Sequence, residues 1–353
     1  MAETVLRAYG DWANVTKVII DDVAAEAGVS IKTVSRVMNR EPNVRPATRQ
    51  KVEEAAKRLG YRPNASARGL AGNRSYLIAL LYDSPSAAYL TNLQSGVLAA
   101  TQAENYGMVL QPCQYDDPHL ADKILTTIRD ARLDGVVLTP PLSDHRGLID
   151  SLVDAGIPHV IVSPPATYME TSGGLCVYVD DKAAAQEMTA YILGTGLTRI
   201  AFIKGTPTHG AALQRFDGYK DALKAAGLDL DPELVKQGYF DFESGVKAAE
   251  ELLALPQPPS AIFASNDEMA AGVLHVAHER GLKVPDDVSV VGFDDTPLSR
   301  QIWPALTTVR QPIRQMGGCA ARMLISRIRQ SGDAASTALP YELVIRHSTG
   351  GPK

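Results

Sequence analysis

The 353-residue sequence predicts a small three-helix head joined by a short segment to a two-lobed α/β body with parallel sheets. Three observations predict it. Residues 1–72 hold 12 Lys and Arg against 8 Asp and Glu, whereas the remainder holds 23 basic and 32 acidic residues. The stretch "DDVAAEAGVSIKTVSRVMN" (Asp21–Asn39) has the pattern of two short helices around a glycine turn. From Tyr76 onward, strand-length apolar runs alternate with helical stretches. That alternation builds a parallel sheet with helices on both faces.

In the head, Val23, Ala24 and Ala27 share one face of a first helix. Gly28 follows, the residue that best tolerates a left-handed helix end. Ser30 is a good N-cap for a second helix, whose Val34 and Val37 face inward at i, i+3 spacing. Two short helices about such a turn form a helix-turn-helix, whose second helix enters the DNA major groove by its start. Ile31, Lys32, Ser35 and Arg36 point outward there, with Thr33 on the same helix. Arg can read guanine O6 and N7 with two hydrogen bonds. A third helix carries Pro46 near its start, a stripe of Val52, Ala55, Ala56 and Leu59, and Gly60 as its stop. Arg45, Thr48 and Arg49 lie near its N-terminus, where backbone N–H groups favour phosphate. A basic head on an acidic body suits a polyanion partner.

The alternating body is too long for one sheet of usual size, so two lobes facing across a cleft are expected. Ligands in such sheets sit at the carboxyl ends of strands. Polar residues cluster at those ends: Asp83 after "LLY", Thr139 after "GVVL", Ser163 after "HVIV", Ser265, Asn266 and Asp267 after "AIFA", and Asp294 and Asp295 after "VVGF". Arg215 opens a helix, and Tyr239 and Phe240 supply an aromatic face. Carboxylates, amides, an Arg and an aromatic face suit sugar binding, because hydroxyls need paired donors and acceptors and the ring face stacks. A plainer expectation stands beside this one. Asp267 caps the helix that follows it, and Asp295 is a structural turn residue.

Several classes are excluded by what the sequence lacks. Its apolar runs are far shorter than a membrane span, and the N-terminus carries no secretory signal pattern. Cys113, Cys176 and Cys319 match no metal spacing and are expected as buried thiols of a reducing cytoplasm. No dinucleotide, P-loop or nucleophile-elbow motif is present, so neither an enzyme nor a cofactor is expected. His275 and His278 have no third ligand at a sensible spacing and are expected to be surface or packing residues, with no metal.

The stretches "DVAAEAGVSIKTVSRVMN" and "TRQKVEEAAKRLGYRPNASARGLAG" resemble the head of the lactose-repressor/galactose-repressor family of transcription regulators. The likeness continues to the end of the chain and omits only residues 1–15, expected as a disordered extension. It implies a helix-turn-helix domain over 16–62, a hinge helix over 63–74 and a periplasmic-binding-protein-like sensor body over 75–353. Lobe 1 would take about 75–175 and 311–337, and lobe 2 about 176–310 and 338–353. By this resemblance Lys32 and Arg36 read bases, Ile31 makes an apolar contact, and Ser30, Thr33, Asn39, Thr48 and Arg49 serve phosphates. The hinge folds into a helix over the operator and places Leu70 in the minor groove, with Asn64, Ala67 and Arg68 beside it. Arg215, Asn266 and Asp294 hydrogen-bond the effector, and Phe240 packs on it. Thr139, Ser163 and Ile313 occupy lining positions that vary between members, and Asp83 joins the effector set. Members usually carry Thr at the position of Ile19, where it caps the first helix and touches phosphate; that contact is not supplied here. The helix Ile313–Ile328 would pack at the subunit interface of a homodimer, and no leucine-zipper pattern follows it. The implied function is a cytoplasmic repressor of carbohydrate genes, released from double-stranded operator DNA by a mono- or disaccharide. The alternatives are a regulator that ligand tightens on DNA, or a sugar-binding transport protein, which would need a signal peptide and no helix-turn-helix.

Overall fold

The computed structural model describes residues 18–38, 43–61, 74–165, 174–331 and 335–350. It divides into two units between Ser75 and Tyr76. The expected extension 1–15, Asn39, and hinge residues 63–73 with Asn64, Ala67, Arg68, Gly69 and Leu70 lie outside the described residues.

The head is three helices: α1 (Ile20–Ala27), α2 (Ile31–Met38) and α3 (Pro46–Leu59). Ile19 has no side-chain acceptor, so only the reverse half of a cap forms: its N–H donates to the Asp22 carboxylate at 2.8 Å. Gly28 stops α1 at φ +62°, and its backbone turns the chain by bonding back to Ala24 and Ala25. The Ser30 hydroxyl accepts from Thr33 N–H and so caps α2. Val23, Ala27, Val34, Val37, Val52 and Ala55 interlock at the centre with almost no exposure. These side chains are small, which lets three short helices approach closely.

The body holds two six-stranded sheets. The first comprises β1 (Leu77–Tyr82), β2 (Gly107–Pro112), β3 (Gly135–Leu138), β4 (His159–Val162), β5 (Cys176–Tyr178) and β11 (Thr337–Ala338). They run in the order β11-β5-β4-β3-β1-β2, all parallel. The second comprises β6 (Ile200–Lys204), β7 (Val235–Gln237), β8 (Ala261–Ala264), β9 (Ser289–Asp294), β10 (Thr307–Arg310) and β12 (Glu342–Val344). Its order is β12-β10-β9-β8-β6-β7, parallel except for the β12 edge. Continuous apolar strands such as "GVVL" and "AIFA" are buried along their whole length, as helix cover on both faces requires.

Each sheet reverses its winding at one place: β1 lies between β2 and β3, and β6 lies between β7 and β8. Crevices open there at the carboxyl ends of the strands. One expected boundary is corrected. Cys176–Tyr178, assigned from sequence to lobe 2, is the fifth strand of the first sheet and pairs with Ile161 and Val162. Thr337 and Ala338 then pair with it, so the chain passes between lobes after Tyr178 and after Ala338. The reason is burial: Cys176 and Val177 complete the apolar first sheet. Cys113 and Cys319 are only half-buried, in contrast to the expectation for them.

The helices that cover the first sheet include α4 (Ala87–Ala103), α5 (Leu120–Asp130), α6 (Arg146–Asp154) and α12 (Ile313–Arg329). Helices α7 (Asp181–Gly194), α8 (Gly210–Ala225), α9 (Phe242–Leu253) and α10 (Asp267–Glu279) cover the second, with a short α11 (Leu298–Gln301). Helices α4 and α12 cross backbone to backbone. A Cβ built on Gly96 would fall 1.9 Å from the Arg314 carbonyl oxygen. Gly96→Ala should therefore destabilise the body by about 1–3 kcal/mol in denaturant unfolding. Gly194→Ala, which meets open space in a helix, should raise stability by up to about 1 kcal/mol in the same measurement.

Candidate functional site

Two surfaces carry the residues singled out from sequence, one in each unit. In the head, Ile31, Lys32 and Arg36 are exposed on α2, and Thr33 and Ser35 are half-buried beside them. No acidic residue lies on α2. The Ser30 and Thr33 hydroxyls are 2.9 Å apart at its start. Thr48 and Arg49 are half-buried on α3. Arg49 Nη1 lies 3.5 Å from the Val37 carbonyl, so this guanidinium also braces the last turn of α2. The head thus presents one helix with Lys and Arg outward and its apolar side locked.

In the body, strand ends from both sheets converge on a small cavity. Ser84 and Ser86 follow β1, Pro140 follows β3 and Ser163 follows β4. From the second sheet, His209 lies beyond β6, Phe240 beyond β7, Asn266 beyond β8, and Asp294 ends β9. Tyr89 of α4 and Arg215 of α8 complete the lining. The space left among them is about 30 Å³, room for a water or two. A sugar ring is far larger, so the lobes must part to admit one. A second space of about 800 Å³ is an open groove between α4, α12 and the second lobe. No aromatic ring lines it, which removes the stacking face a sugar site needs.

Arg215 organises the cavity. It sits one and a half turns into α8, not at a helix start as its sequence context suggested. Its Nε donates to Asp181 at 2.7 Å, its Nη1 donates to the Ser265 carbonyl at 2.5 Å, and its Nη2 lies 3.8 Å from Asp294. The guanidinium stacks 3.7 Å from the Phe293 ring centroid. Burial pushes Asp294 up to about 7, although Arg215 opposes the shift. Gln311 Nε2 donates to the Asp294 carboxylate at 2.7 Å. Burial also pushes His209 down to about 3, assisted by Arg215, so its ring is neutral. His209 Nδ1 is buried and has no hydrogen-bond partner. The backbone is strained at this cavity: Ser163, Phe240 and Asp294 all have positive φ, of 50°, 66° and 112°.

Three hydrogen bonds close the lobes over the cavity, the longest from Gln214 Nε2 to the Pro164 carbonyl at 3.5 Å. The Ser86 hydroxyl donates to the Glu268 carboxylate. Gly210 N–H, at the start of α8, donates to Asp144 at 3.0 Å. A side chain at Gly210 would strike Asp144 and the Pro165 backbone, so glycine permits this approach.

Of the sequence-predicted effector residues, Ser163, Arg215, Phe240, Asn266 and Asp294 meet in the cavity. Asp83, Thr139 and Ile313 do not line it. Asp83 accepts from Tyr115 N–H at 2.7 Å, and the Thr139 hydroxyl donates to the Leu81 carbonyl at 2.9 Å. Both are occupied in holding strand ends. Ile313 is buried in the core beneath the first sheet. The cap on α10 is Asn266, whose side-chain oxygen accepts from Met269 N–H, and not Asp267. Asp267 is buried and instead binds Thr296 and Thr308. Asp295 is structural: it pairs with Arg310 and Arg346. His275 pairs with Glu279 on the surface, and no metal-holding cluster is found among the described residues. Ser84, Ser86, Tyr89, Asp144 and His209 were not predicted. The polar run "DSPS" at the end of β1 was a usable signal for the first two, and the His before α8 for the last.

Comparisons with known proteins agree with this architecture. The family described as "Bacterial regulatory proteins, lacI family" matches residues 19–64, and the periplasmic binding protein-like domain matches residues 189–349. Catabolite control protein A of Priestia megaterium is 35% identical over 338 residues, covering 94% of this chain and 99% of that protein. The transcriptional regulator CelR in complex with cellobiose superposes with a TM-score of 0.72 at 33% identity, covering 94% and 99% of the two chains. The lac repressor dimer bound to operator and the anti-inducer ONPF superposes at 0.76 with 26% identity, covering 95% and 99%.

The closing bond at Asp144 is open to a pH test. Burial pushes Asp144 up to about 7, only partly offset by the Gly210 N–H and the Ser143 hydroxyl. The native chain therefore holds a proton that the unfolded chain releases near pH 4. Asp144's contribution to stability is full below about pH 4 and is lost as pH rises through about 7. Asp144→Asn keeps an acceptor for Gly210 N–H and does not titrate. Between pH 5 and 8 its thermal midpoint should fall by a few degrees less than that of the unaltered protein.

Proposed function

Because the chain belongs to the lacI family of bacterial regulatory proteins, a family of DNA-binding transcription regulators, we propose that it represses carbohydrate-utilisation genes and leaves its operator when a small sugar binds between the lobes. The observation that carries the sugar reading is the cavity lining. Asp294 and Arg215 offer an acceptor and donors, Ser163, Tyr89 and His209 add further polar atoms, and Phe240 adds an aromatic face. This is the set a pyranose needs, with equatorial hydroxyls satisfied at its rim and C–H faces packed on a ring. That CelR was solved with cellobiose supports the same ligand class.

On DNA, Lys32 and Arg36 of α2 would reach base edges and Ile31 would make an apolar contact, while Ser30, Thr33, Thr48 and Arg49 hold phosphates. A head of this size covers one half-site, so the working unit is a homodimer on a pseudo-palindrome. Sugar and operator then act on one equilibrium, and each must weaken the other by the same factor. Calorimetry with a panel of mono- and disaccharides, followed by operator gel shifts with each hit, tests the reading. A sugar that binds and lowers operator affinity supports it, and a sugar that raises operator affinity overturns the direction of control.

Arg36→Ala should cost about 1–3 kcal/mol of operator affinity at fixed salt and relax discrimination at one base position. Unchanged affinity and specificity in a binding titration over operator variants would remove Arg36 from the base-reading set.

A further inference from the structure

The same cleft carries information about the charge of its ligand. This inference rests on the sugar reading above and narrows it. Among the described residues that line the cavity, Arg215 is the sole permanent cation. It is already engaged by the Asp181 carboxylate and the Ser265 carbonyl, with Asp294 at 3.8 Å. Asp294 faces the cavity itself, and Glu268 stands one bond behind it, held by Ser86 and Asn266. One guanidinium therefore serves a site with three carboxyl groups close by. Burial raises the affinity of all three for protons, Asp181, Glu268 and Asp294 alike, and at Asp294 the neighbouring Glu268 and Asp181 carboxylates add to it.

The usual devices for holding an anion are in part already used by the protein. A helix N-terminus attracts phosphate or carboxylate through its first amides. Three helices begin at this cleft, and a protein oxygen already accepts from the first turn of each. Asp144 accepts from Gly210 N–H at α8, Asn266 from Met269 N–H at α10, and Ser86 from Tyr89 N–H at α4. His209 cannot supply a second cation, because burial and the adjacent Arg215 hold its ring neutral. What the cavity does offer beyond Asp294 and Arg215 is neutral: the Ser163 hydroxyl, the Tyr89 phenol and the partnerless His209 Nδ1. A neutral imidazole nitrogen pairs with a hydroxyl.

We infer that the cleft is built for an uncharged polyhydroxy ligand and rejects the phosphorylated or carboxylated counterparts of that ligand, with His209 Nδ1 meeting one of its hydroxyls. An anionic group would have to enter beside Asp294 and Glu268 and share the one guanidinium that already faces Asp181 and Asp294, and a buried charge without its own counter-charge is strongly disfavoured.

The test is calorimetry on the full chain at pH 8, where each acidic probe is ionised. Matched pairs are compared: glucose with glucose 6-phosphate, galactose with galacturonate, and cellobiose with cellobionate. In any pair that binds, the neutral member should bind at least about a hundredfold more tightly. An anionic member that binds as tightly as its neutral partner overturns this inference and leaves the sugar reading intact. Binding of a free nucleobase and of no sugar overturns both. Glu268→Gln keeps an acceptor for Ser86 and removes a charge, so it should lower the neutral-to-anionic ratio at least fivefold. An unchanged ratio would show that charge is not what discriminates. His209→Ala should weaken the neutral sugar about tenfold and leave the neutral-to-anionic ratio unaltered, and an unchanged affinity for that sugar would remove His209 from the contact set.

Discussion

The second lobe is arranged around one buried guanidinium. Arg215 draws Asp181 from the start of α7, the Ser265 carbonyl from the end of β8, and Asp294 from the end of β9. Three separate strand-to-helix junctions are thereby drawn to one point. A buried Arg costs heavily unless its donors are met, and here two are met directly while its flat face lies on Phe293. Arg215 offsets the mutual repulsion of Asp181 and Asp294, and Gln311 adds a donor to Asp294. The strained φ of Asp294 belongs to the same arrangement, since it turns the carboxylate toward both Arg215 and Gln311. The lobe trades backbone comfort for a fixed pattern of donors and acceptors at its rim.

The first lobe contributes differently. Its groups are neutral or half-buried, namely Ser84, Ser86, Tyr89, Pro140 and Ser163, and its one carboxylate at the seam is Asp144. The charged half and the hydroxyl-rich half are held together by a few bonds, at Asp144, Glu268 and Gln214. So few bonds can break and re-form at modest cost. The head is held differently. Its α2 is capped at Ser30 and pinned by Val34 and Val37, so the outward side chains are presented on a preformed surface.

Much of this was legible in the sequence, for identifiable reasons. The helix-turn-helix rests on local signals, Gly28 with its left-handed φ and Ser30 at the cap, and local signals survive translation into structure well. The alternation of apolar runs and helices gave the sheets, and the rule that ligands gather at carboxyl ends pointed to Ser163, Asn266 and Asp294, which meet in one cavity with Arg215 and Phe240, singled out as a helix-start Arg and an aromatic face. The same rule overreached at Asp83 and Thr139, because a strand end must also satisfy its neighbours' backbone. Which of two adjacent polar residues caps a helix, Asn266 or Asp267, depends on backbone geometry that a sequence does not display. The bonds across the seam at Asp144 and Glu268 link residues 66 and 182 positions apart, and nothing local marks them. Cys176–Tyr178 is a three-residue strand, too short to reveal which sheet it joins.

Gln311 stands immediately after β10, where the chain passes from the second sheet toward α12 on the first. Its amide grips the Asp294 carboxylate, so the cavity-facing group and the connecting segment are directly linked. Points near a pivot travel little while points far from it travel far. Any rotation about this connecting segment would therefore leave the Asp294–Gln311 contact almost in place and show itself at the outer rims of the lobes, so a small displacement of Asp294 is transmitted to the segment directly and not through intervening side chains.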